Sequence, residues 1–375
     1  MELDQSPSQQ AWMRRALELA HRGEGAVEPN PMVGCLIVRD GSVISEGYHE
    51  QFGGPHAEIN AIAAAGSVDL AGATAYVTLE PCCHQGKTPP CSTALIDAGI
   101  KRVVVAMRDP FPKVDGGGLQ ALQDAGVETE VGLLEPEART INAPYLKRVQ
   151  VGSPWVIAKW AMTMDGRIAT VSGQSQWITS PASREEVHQL RSRVDAICVG
   201  MGTVEADDPM LTARLPDSSR PPREAARVVF CRSRVPSVNS KLVQSASDVP
   251  LWLVASQAIN AEQLKPLADL GTNVLAVRTD DSVEMVRAGL TELAKQDMTN
   301  VMVEGGAELL ASFMAADQID EAHVYMGAKI FGGQGAKGPI GGQGNESIAD
   351  LSSWELQSVD QFDSDVRVIY RKPTA

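Results

Sequence analysis

Two short strings, His56-Ala57-Glu58 and Pro81-Cys82-Cys83-His84-Gln85-Gly86-Lys87-Thr88-Pro89-Pro90-Cys91, carry one imidazole, one carboxylate and several thiols. They constrain the fold because a catalytic zinc ion takes three protein ligands of nitrogen or sulfur and leaves its fourth position to water. Separated segments must therefore meet at one point. His56, Cys82 and Cys91 could supply the three ligands. Two thiolates and a neutral imidazole cancel the charge of the ion, so its water is acidified less than in an all-histidine site. A nearby base then becomes valuable, and Glu58 is the candidate to take a proton from water and return it to a leaving amine.

The general signature of zinc deaminases is H-x-E followed by P-C-x-x-C. This chain keeps the first half and the opening Pro-Cys, but no cysteine lies three residues after Cys82. The second thiol must be Cys83 or Cys91. Adjacent cysteines strain a tetrahedral site, whereas a Gly-Pro loop can return the chain to the metal, so Cys91 is the choice. A metal-free reading would bury the cysteines as core residues and satisfy His56 by a polar contact.

With 375 residues the chain is long enough for two domains. Its 33 basic against 47 acidic residues give a formal charge of −14, which disfavours a surface that tracks nucleic-acid phosphates. Six cysteines are few for this length and three of them cluster, which fits metal binding in a reducing cytoplasm better than disulfides. The polar N-terminal stretch does not resemble an export signal, and no run is apolar and long enough to span a bilayer.

Spacing predicts a helix over 11–22, strands at Cys35–Val38 and Ser42–Ile44 around the hairpin signal Asp40-Gly41, and a helix opening at His56. A strand over Tyr76–Leu79 would deliver the chain into Pro81-Cys82. A helix over Ser92–Ala98, a strand at Val103–Val105, a helix near Leu119–Asp124, a strand near Thr129–Val131 and one helix over Pro136–Val149 follow. This alternation predicts a mostly parallel sheet with helices on both faces. Gly152-Ser153-Pro154 is the expected boundary between domains at 1–150 and 151–375.

The second half repeats the alternation. Strands are expected at 155–158, 228–230, 251–254, 274–277 and 301–303, helices at about 183–193, 283–295 and 307–315, and antiparallel strands over 355–371. Val303-Glu304-Gly305-Gly306-Ala307 reads as a strand passing through two glycines into a helix, a geometry that offers backbone N–H groups to an anion. It is not the G-x-G-x-x-G fingerprint, so an ordinary dinucleotide fold is unsupported. Gly332-Gly333 and Gly341-Gly342 read as loops. Arg167, Arg184, Arg191 and Arg214 are cations suited to phosphate, although each read singly is a solvated side chain. Trp177 and Asp207 read first as a core aromatic and a turn or capping residue.

At this point the chain closely resembles the bifunctional riboflavin-biosynthesis family, in which a pyrimidine deaminase is fused to a uracil reductase. Asn30-Pro31 with Val33-Gly34, Gly47-Tyr48-His49, His56-Ala57-Glu58, Glu80-Pro81-Cys82, Gly86-Lys87-Thr88-Pro89-Pro90-Cys91 and Asp109-Pro110 look like the deaminase half. Met164-Asp165-Gly166-Arg167, Ser175–Ser180, Gly202-Thr203-Val204, Asp207-Asp208-Pro209 and Val303–Gly306 look like the reductase half. The resemblance implies an α/β fold: an N-terminal cytidine-deaminase-like three-layer α/β/α domain and a C-terminal dihydrofolate-reductase-like α/β domain. It implies one zinc ion per chain and NADPH. The substrate would be a diaminopyrimidinone bearing a phosphoribosylamino group, deaminated first and then reduced from ribosyl to ribityl.

The resemblance also implies residue roles. Zinc would lie on His56, Cys82 and Cys91, with Glu58 as proton shuttle. Asn30, His49, His84, Lys87 and Asp109 would contact the pyrimidine or its ribose phosphate. Ala161, Trp177, Thr203, Asp207, Ser233 and the run Gly306, Ala307, Glu308, Leu309, Leu310, Ala311 and Ser312 would bind NADPH. Lys159, Ser175, Arg191, Leu211, Arg214 and Glu304 would hold the reductase substrate, with Lys159, Asp207 and Glu304 as proton-transfer candidates. Phe111 replaces a common Asn, and Cys231 replaces a common Asp at a strand end.

A homo-oligomeric cytoplasmic enzyme with no nucleic-acid or membrane partner is expected. One competing reading is a deaminase of nucleosides or tRNA whose second half is not catalytic, which absence of NADPH binding would favour. Another is a nucleotide-sensing protein with structural zinc, which a metal titration with an ammonia assay would separate.

Overall fold

The structure is a computed structural model that describes residues 8–83, 89–215, 224–344, 346–348, 351 and 353–373. The chain divides between Gly152 and Ser153 into two compact units.

In the first unit, helix α1 (Gln9–His21) precedes strands β1 (Gly34–Arg39) and β2 (Ser42–Tyr48). Asp40 and Gly41 join the strands with φ of 51° and 73°, the left-handed pair that a two-residue hairpin turn requires. Helix α2 (Ala57–Ala64), strand β3 (Thr74–Val77), α3 (Cys91–Asp97), β4 (Arg102–Val105), α4 (Gly117–Asp124), β5 (Glu128–Val131), α5 (Glu135–Ile141) and α6 (Ala143–Val151) follow. The sheet order is β2-β1-β3-β4-β5.

The pairs β3-β4 and β4-β5 are parallel, whereas β1 is antiparallel to both its neighbours, β2 and β3, and so runs against the other strands. The pairing is therefore evenly mixed, although all strands but β1 share one direction. Alternation of side chains sorts its two faces. Cys35, Ile37, Ala75, Val77, Val103 and Val105 face Ala57, Ala61, Leu95, Leu119 and Leu122 of α2, α3 and α4. Leu36, Val38, Tyr76 and Val104 face Met13, Ala16, Ala138, Tyr145 and Leu146 of α1, α5 and α6.

The single helix expected over 136–149 is two helices. Asn142 interrupts it, its side-chain oxygen accepting from the Met32 amide at 2.8 Å and its amide donating to the Met32 carbonyl at 2.9 Å. Pro144 has no N–H to continue the ladder.

The second unit holds β6 (Trp155–Thr163), α7 (Pro181–Arg191), β7 (Ala196–Gly200), α8 (Met201–Asp207), β8 (Ala226–Cys231), α9 (Lys241–Gln244), β9 (Leu251–Ala255) and α10 (Ala261–Ala268). Then come β10 (Asn273–Ala276), α11 (Ser282–Lys295), β11 (Asn300–Glu304), α12 (Ala307–Ala315), β12 (Glu321–Gly327), β13 (Glu355–Phe362) and β14 (Asp365–Arg371). The sheet order is β10-β9-β8-β7-β11-β6-β12-β14-β13. From β10 to β12 every neighbouring pair is parallel, and β14 and β13 close the sheet antiparallel. Val156, Ala158, Cys198, Val228, Val301 and Val303 pack under Met285, Leu290, Leu293, Leu310 and Phe313 of α11 and α12.

Candidate functional site

In the first unit, His56 is the N-cap of α2 and Cys91 is the first residue of α3, while Cys82 lies in the loop after β3. His56 Nδ1 stands 3.2 Å from Cys91 Sγ and 3.6 Å from Cys82 Sγ, and the three ligand atoms lie within 4.8 Å of one another. A tetrahedral ion with bonds of about 2.3 Å to sulfur and about 2.0 Å to nitrogen sets N···S edges near ~3.5 Å, so the donor set fits zinc. The Cys82 thiol is held well below its ordinary value, chiefly by the Cys91 thiol that donates to it, then by His56 and the Cys91 amide, against the opposing effect of burial. Thiolate is the form that ligates.

Glu58, in the first turn of α2, is 3 % exposed. Burial raises its carboxyl above the usual range, and the backbone, His56 and the Cys91 thiol only partly offset that. A carboxyl so placed beside the ligands can accept and return a proton.

Glu80 fixes the loop that carries Cys82. Its buried carboxylate accepts from the amides of Gly118 at 3.0 Å, Leu119 at 3.2 Å, Gly116 at 3.2 Å and Asp109 at 3.4 Å. Gly118 lies so close that a Cβ there would sit 1.8 Å from the Pro81 carbonyl oxygen. Spacing gave no sign of this anchor, because its partners lie on α4 and in the segment before it.

Asn30 donates to His49 Nε2 at 3.1 Å, and His49 Nδ1 faces the Pro55 carbonyl at 2.9 Å. The His49 ring meets His56 edge-on at 5.4 Å, so Asn30 and His49 border the metal ligands. Asp109 Oδ1 accepts from the Tyr145 hydroxyl at 2.8 Å and the Phe111 amide at 3.0 Å. Phe111 itself packs half-buried against the α1, α5 and α6 core. His84 and Lys87 lie outside the described residues.

In the second unit, a cavity of about 1460 Å³ opens over the sheet. Lys159, Ser175, Arg191, Leu211, Arg214 and Glu304 line it. Ala161, Trp177, Thr203, Asp207, Ser233, Gly306, Ala307, Glu308, Leu309, Leu310 and Ser312 line it too. Ala311 is not in its wall and lies beside Gly342. Trp177 is no core aromatic: it is 58 % exposed, with the Arg184 guanidinium 4.4 Å from its ring. Arg167 stays outside the cavity, on the Ala336 carbonyl.

Glu304 and Lys159 are register partners on β11 and β6, with Lys159 Nζ 3.4 Å from the carboxylate. Arg191 holds the same carboxylate through Nε at 2.9 Å and Nη2 at 2.5 Å. Burial acts to raise the Glu304 carboxyl, but Lys159 and Arg191 hold it at about 2. Burial lowers the Lys159 ammonium despite Glu304. Burial alone raises the Asp207 carboxyl.

Gly305 and Gly306 have φ of 88° and 83°, a backbone that other residues rarely adopt. A Cβ on Gly306 would come 3.3 Å from Thr203 Oγ1, and among the described residues no side chain caps α12. Its first amides are thus available to an anion, and this cradle fits a dinucleotide phosphate. Cys231 is wholly buried at the end of β8, its thiol pushed up to about 12 by burial. Sequence reasoning passed over His188, which lines the cavity from α7; its one signal was a position one helical turn before Arg191.

Residues 6–107 match the model of the cytidine and deoxycytidylate deaminase zinc-binding region, and residues 154–368 match that of the RibD C-terminal domain. The chain is 40 % identical to the riboflavin biosynthesis protein RibD of Actinobacillus pleuropneumoniae, over 96 % of this chain and 94 % of that one. It is 39 % identical to RibD of Escherichia coli strain K12, over 95 % and 97 %. A solved structure of Acinetobacter baumannii RibD superposes with a TM-score of 0.85 at 38 % identity, covering 97 % of this chain and 99 % of that one. A diaminohydroxyphosphoribosylaminopyrimidine deaminase/5-amino-6-(5-phosphoribosylamino)uracil reductase from Thermotoga maritima superposes with a TM-score of 0.81 at 36 % identity, covering 97 % and 98 %. With two family models in sequence and near-full-length relatives on both sides of residue 152, the chain belongs to the riboflavin biosynthesis RibD family.

Proposed function

We propose that the first unit, up to Gly152, deaminates 2,5-diamino-6-(5-phosphoribosylamino)pyrimidin-4-one and that the second, from Ser153 onward, reduces the ribosyl group of the product to ribityl. The observation that carries the reading is the convergence of His56, Cys82 and Cys91 beside buried Glu58 in a chain that also builds the Lys159–Glu304–Arg191 cluster.

For deamination, His56, Cys82 and Cys91 hold zinc. When bound, the ion supplies the Lewis acidity that makes water a nucleophile near neutral pH. Glu58 takes the water proton and delivers it to the 2-amino nitrogen, which leaves as ammonia. Asn30 and His49 orient the ring, and Asp109, His84 and Lys87 contact the pyrimidine or its ribose phosphate.

For reduction, Thr203, the Gly305-Gly306 turn and the start of α12 hold NADPH, which supplies the hydride. The anomeric carbon accepts hydride only after the ribose ring opens to an imine-like form, which requires a proton on the ring oxygen. Lys159, poised over Glu304 with its ammonium destabilised by burial, is the group suited to release that proton. Asp207 lies at the cavity rim as a second donor.

The partner is a small molecule. The acidic charge argues against a nucleic-acid partner, and among the described residues no helix is long and apolar enough to cross a membrane. The six cysteines are all unpaired, which fits a reducing cytoplasm. One coupled assay tests the function: the diaminopyrimidinone phosphate is supplied with and without NADPH while ammonia and NADPH are followed together. Both signals are expected, NADPH loss only after ammonia release. Ammonia alone would leave only the first unit's activity standing.

A further inference from the structure

Strand β12 runs beside β6 in parallel register, with His323 opposite Lys159 and Tyr325 opposite Ala161. Alternate residues of a strand share a face, so Tyr325 lies on the same face of the sheet as Lys159, one face position further along the neighbouring strand. Strand spacing and rise put their Cα atoms roughly 8 Å apart. Both residues line the reductase cavity. Tyr325 is 1 % exposed, and its hydroxyl has no hydrogen-bond partner among the described residues.

The charged groups around the phenol do not take its proton. Arg367, its register partner on β14, donates to Asp360 through Nε at 3.2 Å and Nη2 at 2.9 Å and to Glu186 through Nη1. Any further N–H that Arg367 turns to the phenol oxygen fills a lone pair only, because a guanidinium accepts nothing. Glu186 and Glu304 act on the phenol through charge alone, and the Glu304 carboxylate is already held by Lys159 and Arg191. Burial pushes the phenol up to about 12 against the pull of Arg367, with Glu186 and Glu304 adding to the rise, so it keeps its proton. A buried hydroxyl without an acceptor destabilises a fold, and phenylalanine would fill the same space without it. The O–H is therefore a donor in search of an acceptor on a ligand.

We propose that Tyr325 is a further catalytic residue of the reductase, its hydroxyl donating a hydrogen bond to the ribose ring oxygen as the ring opens. This rests on the reductase reading above. The bond from the anomeric carbon to the ring oxygen breaks and leaves its electron pair on the oxygen, while the lone pair of the linking nitrogen closes the C=N bond. Lys159 stands where the proton must be delivered, so the donor beside it faces the same oxygen. One lone pair of that oxygen takes the Lys159 proton and the other accepts from Tyr325. Hydride from NADPH then adds to the carbon, the C=N pair returns to nitrogen, and Lys159 is left neutral. A donor aimed at an oxygen that gains charge in the transition state lowers the barrier more than it tightens binding.

The test uses Tyr325→Phe in the full-length protein, a change that removes one oxygen atom and keeps the ring. With 5-amino-6-(5-phosphoribosylamino)uracil, kcat for NADPH oxidation is expected to fall at least about tenfold while KM stays nearly the same. The urea midpoint of the second unit's transition is expected to hold or rise, since the lost hydroxyl had no partner, and NADPH affinity by fluorescence titration is expected to hold. Ammonia release from the diaminopyrimidinone phosphate should be unchanged. An unaltered kcat would overturn the proposal. So would a rise in KM alone, which would make the hydroxyl a ground-state contact, or a loss of kcat matched by a lower urea midpoint, which would make it structural. If the unaltered protein oxidised no NADPH with this uracil, the reductase reading itself would fall.

Discussion

Arg191 and Glu304, 113 residues apart in sequence, are joined by two hydrogen bonds from one guanidinium edge to one carboxylate, at 2.9 and 2.5 Å. Because the third direction of the guanidinium is on the Thr212 carbonyl, Arg191 ties α7 and the 212–214 segment to the end of β11. An arginine that reads singly in sequence as a solvated side chain is thus a strut of the cavity, with further N–H groups still open to a ligand. It also keeps Glu304 ionised beside Lys159, whose proton the proposed reduction uses.

Glu304→Gln removes the charge that Lys159 and Arg191 share. Two cations, each with a side chain about 15 % exposed, would then face a neutral amide. Breaking a buried pair from one side costs about 3–5 kcal/mol. Chemical denaturation should show a loss of this order for the second unit's transition, and NADPH oxidation should fall at least about tenfold. Ammonia release should persist, since the variant leaves His56, Glu58, Cys82 and Cys91 intact.

A second carboxylate sets an acid limit on stability. Burial acts to raise the Glu321 carboxyl, but the His323 ring at 2.6 Å and the Arg371 guanidinium at 2.7 Å hold it at about 2. A carboxyl depressed on folding contributes stability that is fully present above its unfolded value of about 4.5 and is lost as pH falls toward 2. The shift corresponds to roughly 3 kcal/mol. Urea midpoints of the unaltered protein and of Glu321→Gln should differ most at pH 7 and converge between pH 4.5 and 2. A constant gap would show that the ionised form is not what stabilises.

How much of this was legible follows from where the partners lie. Asp40-Gly41 and the Gly-Gly entry to α12 depend on neighbours in sequence, and the metal ligands are marked by residue type within two short strings, so these patterns could be read directly. Strand β7 and strand β12 could not. β12 carries Glu321 and His323 inside the sheet, which breaks the apolar pattern, and their mutual hydrogen bond together with Arg371 on the antiparallel neighbour β14 makes that burial tolerable. The break at Asn142 likewise depends on Met32, and the Glu80 anchor on amides of α4. Propensity has no term for partners so distant.

Gly118→Ala tests that anchor. The added Cβ would meet the Pro81 carbonyl oxygen, a backbone atom, so α4 or the Cys82 loop must shift. Zinc affinity measured by competition with a chromogenic chelator should fall about 10–100-fold, the range found when groups supporting ligands are disturbed. Ammonia release should become dependent on added zinc. NADPH oxidation with the deaminated substrate should stay near its original rate. Unchanged zinc affinity would mean that the loop tolerates displacement.

Glu58→Gln separates holding the metal from moving the proton. The amide keeps the shape of a side chain that is almost wholly buried, and the three ligand residues are untouched. Metal analysis should therefore still find one zinc per chain, whereas ammonia release should drop by about 10²–10⁴, the usual contribution of a positioned acid–base group. Glu58→Ala should lose comparable activity but leave a cavity, and with it some stability. Chelation of the metal from the unaltered protein should abolish ammonia release and spare NADPH oxidation with the deaminated substrate. Near-native ammonia release by Glu58→Gln would remove Glu58 from the proton path and leave His49, whose ring meets His56 edge-on, as the next group to test.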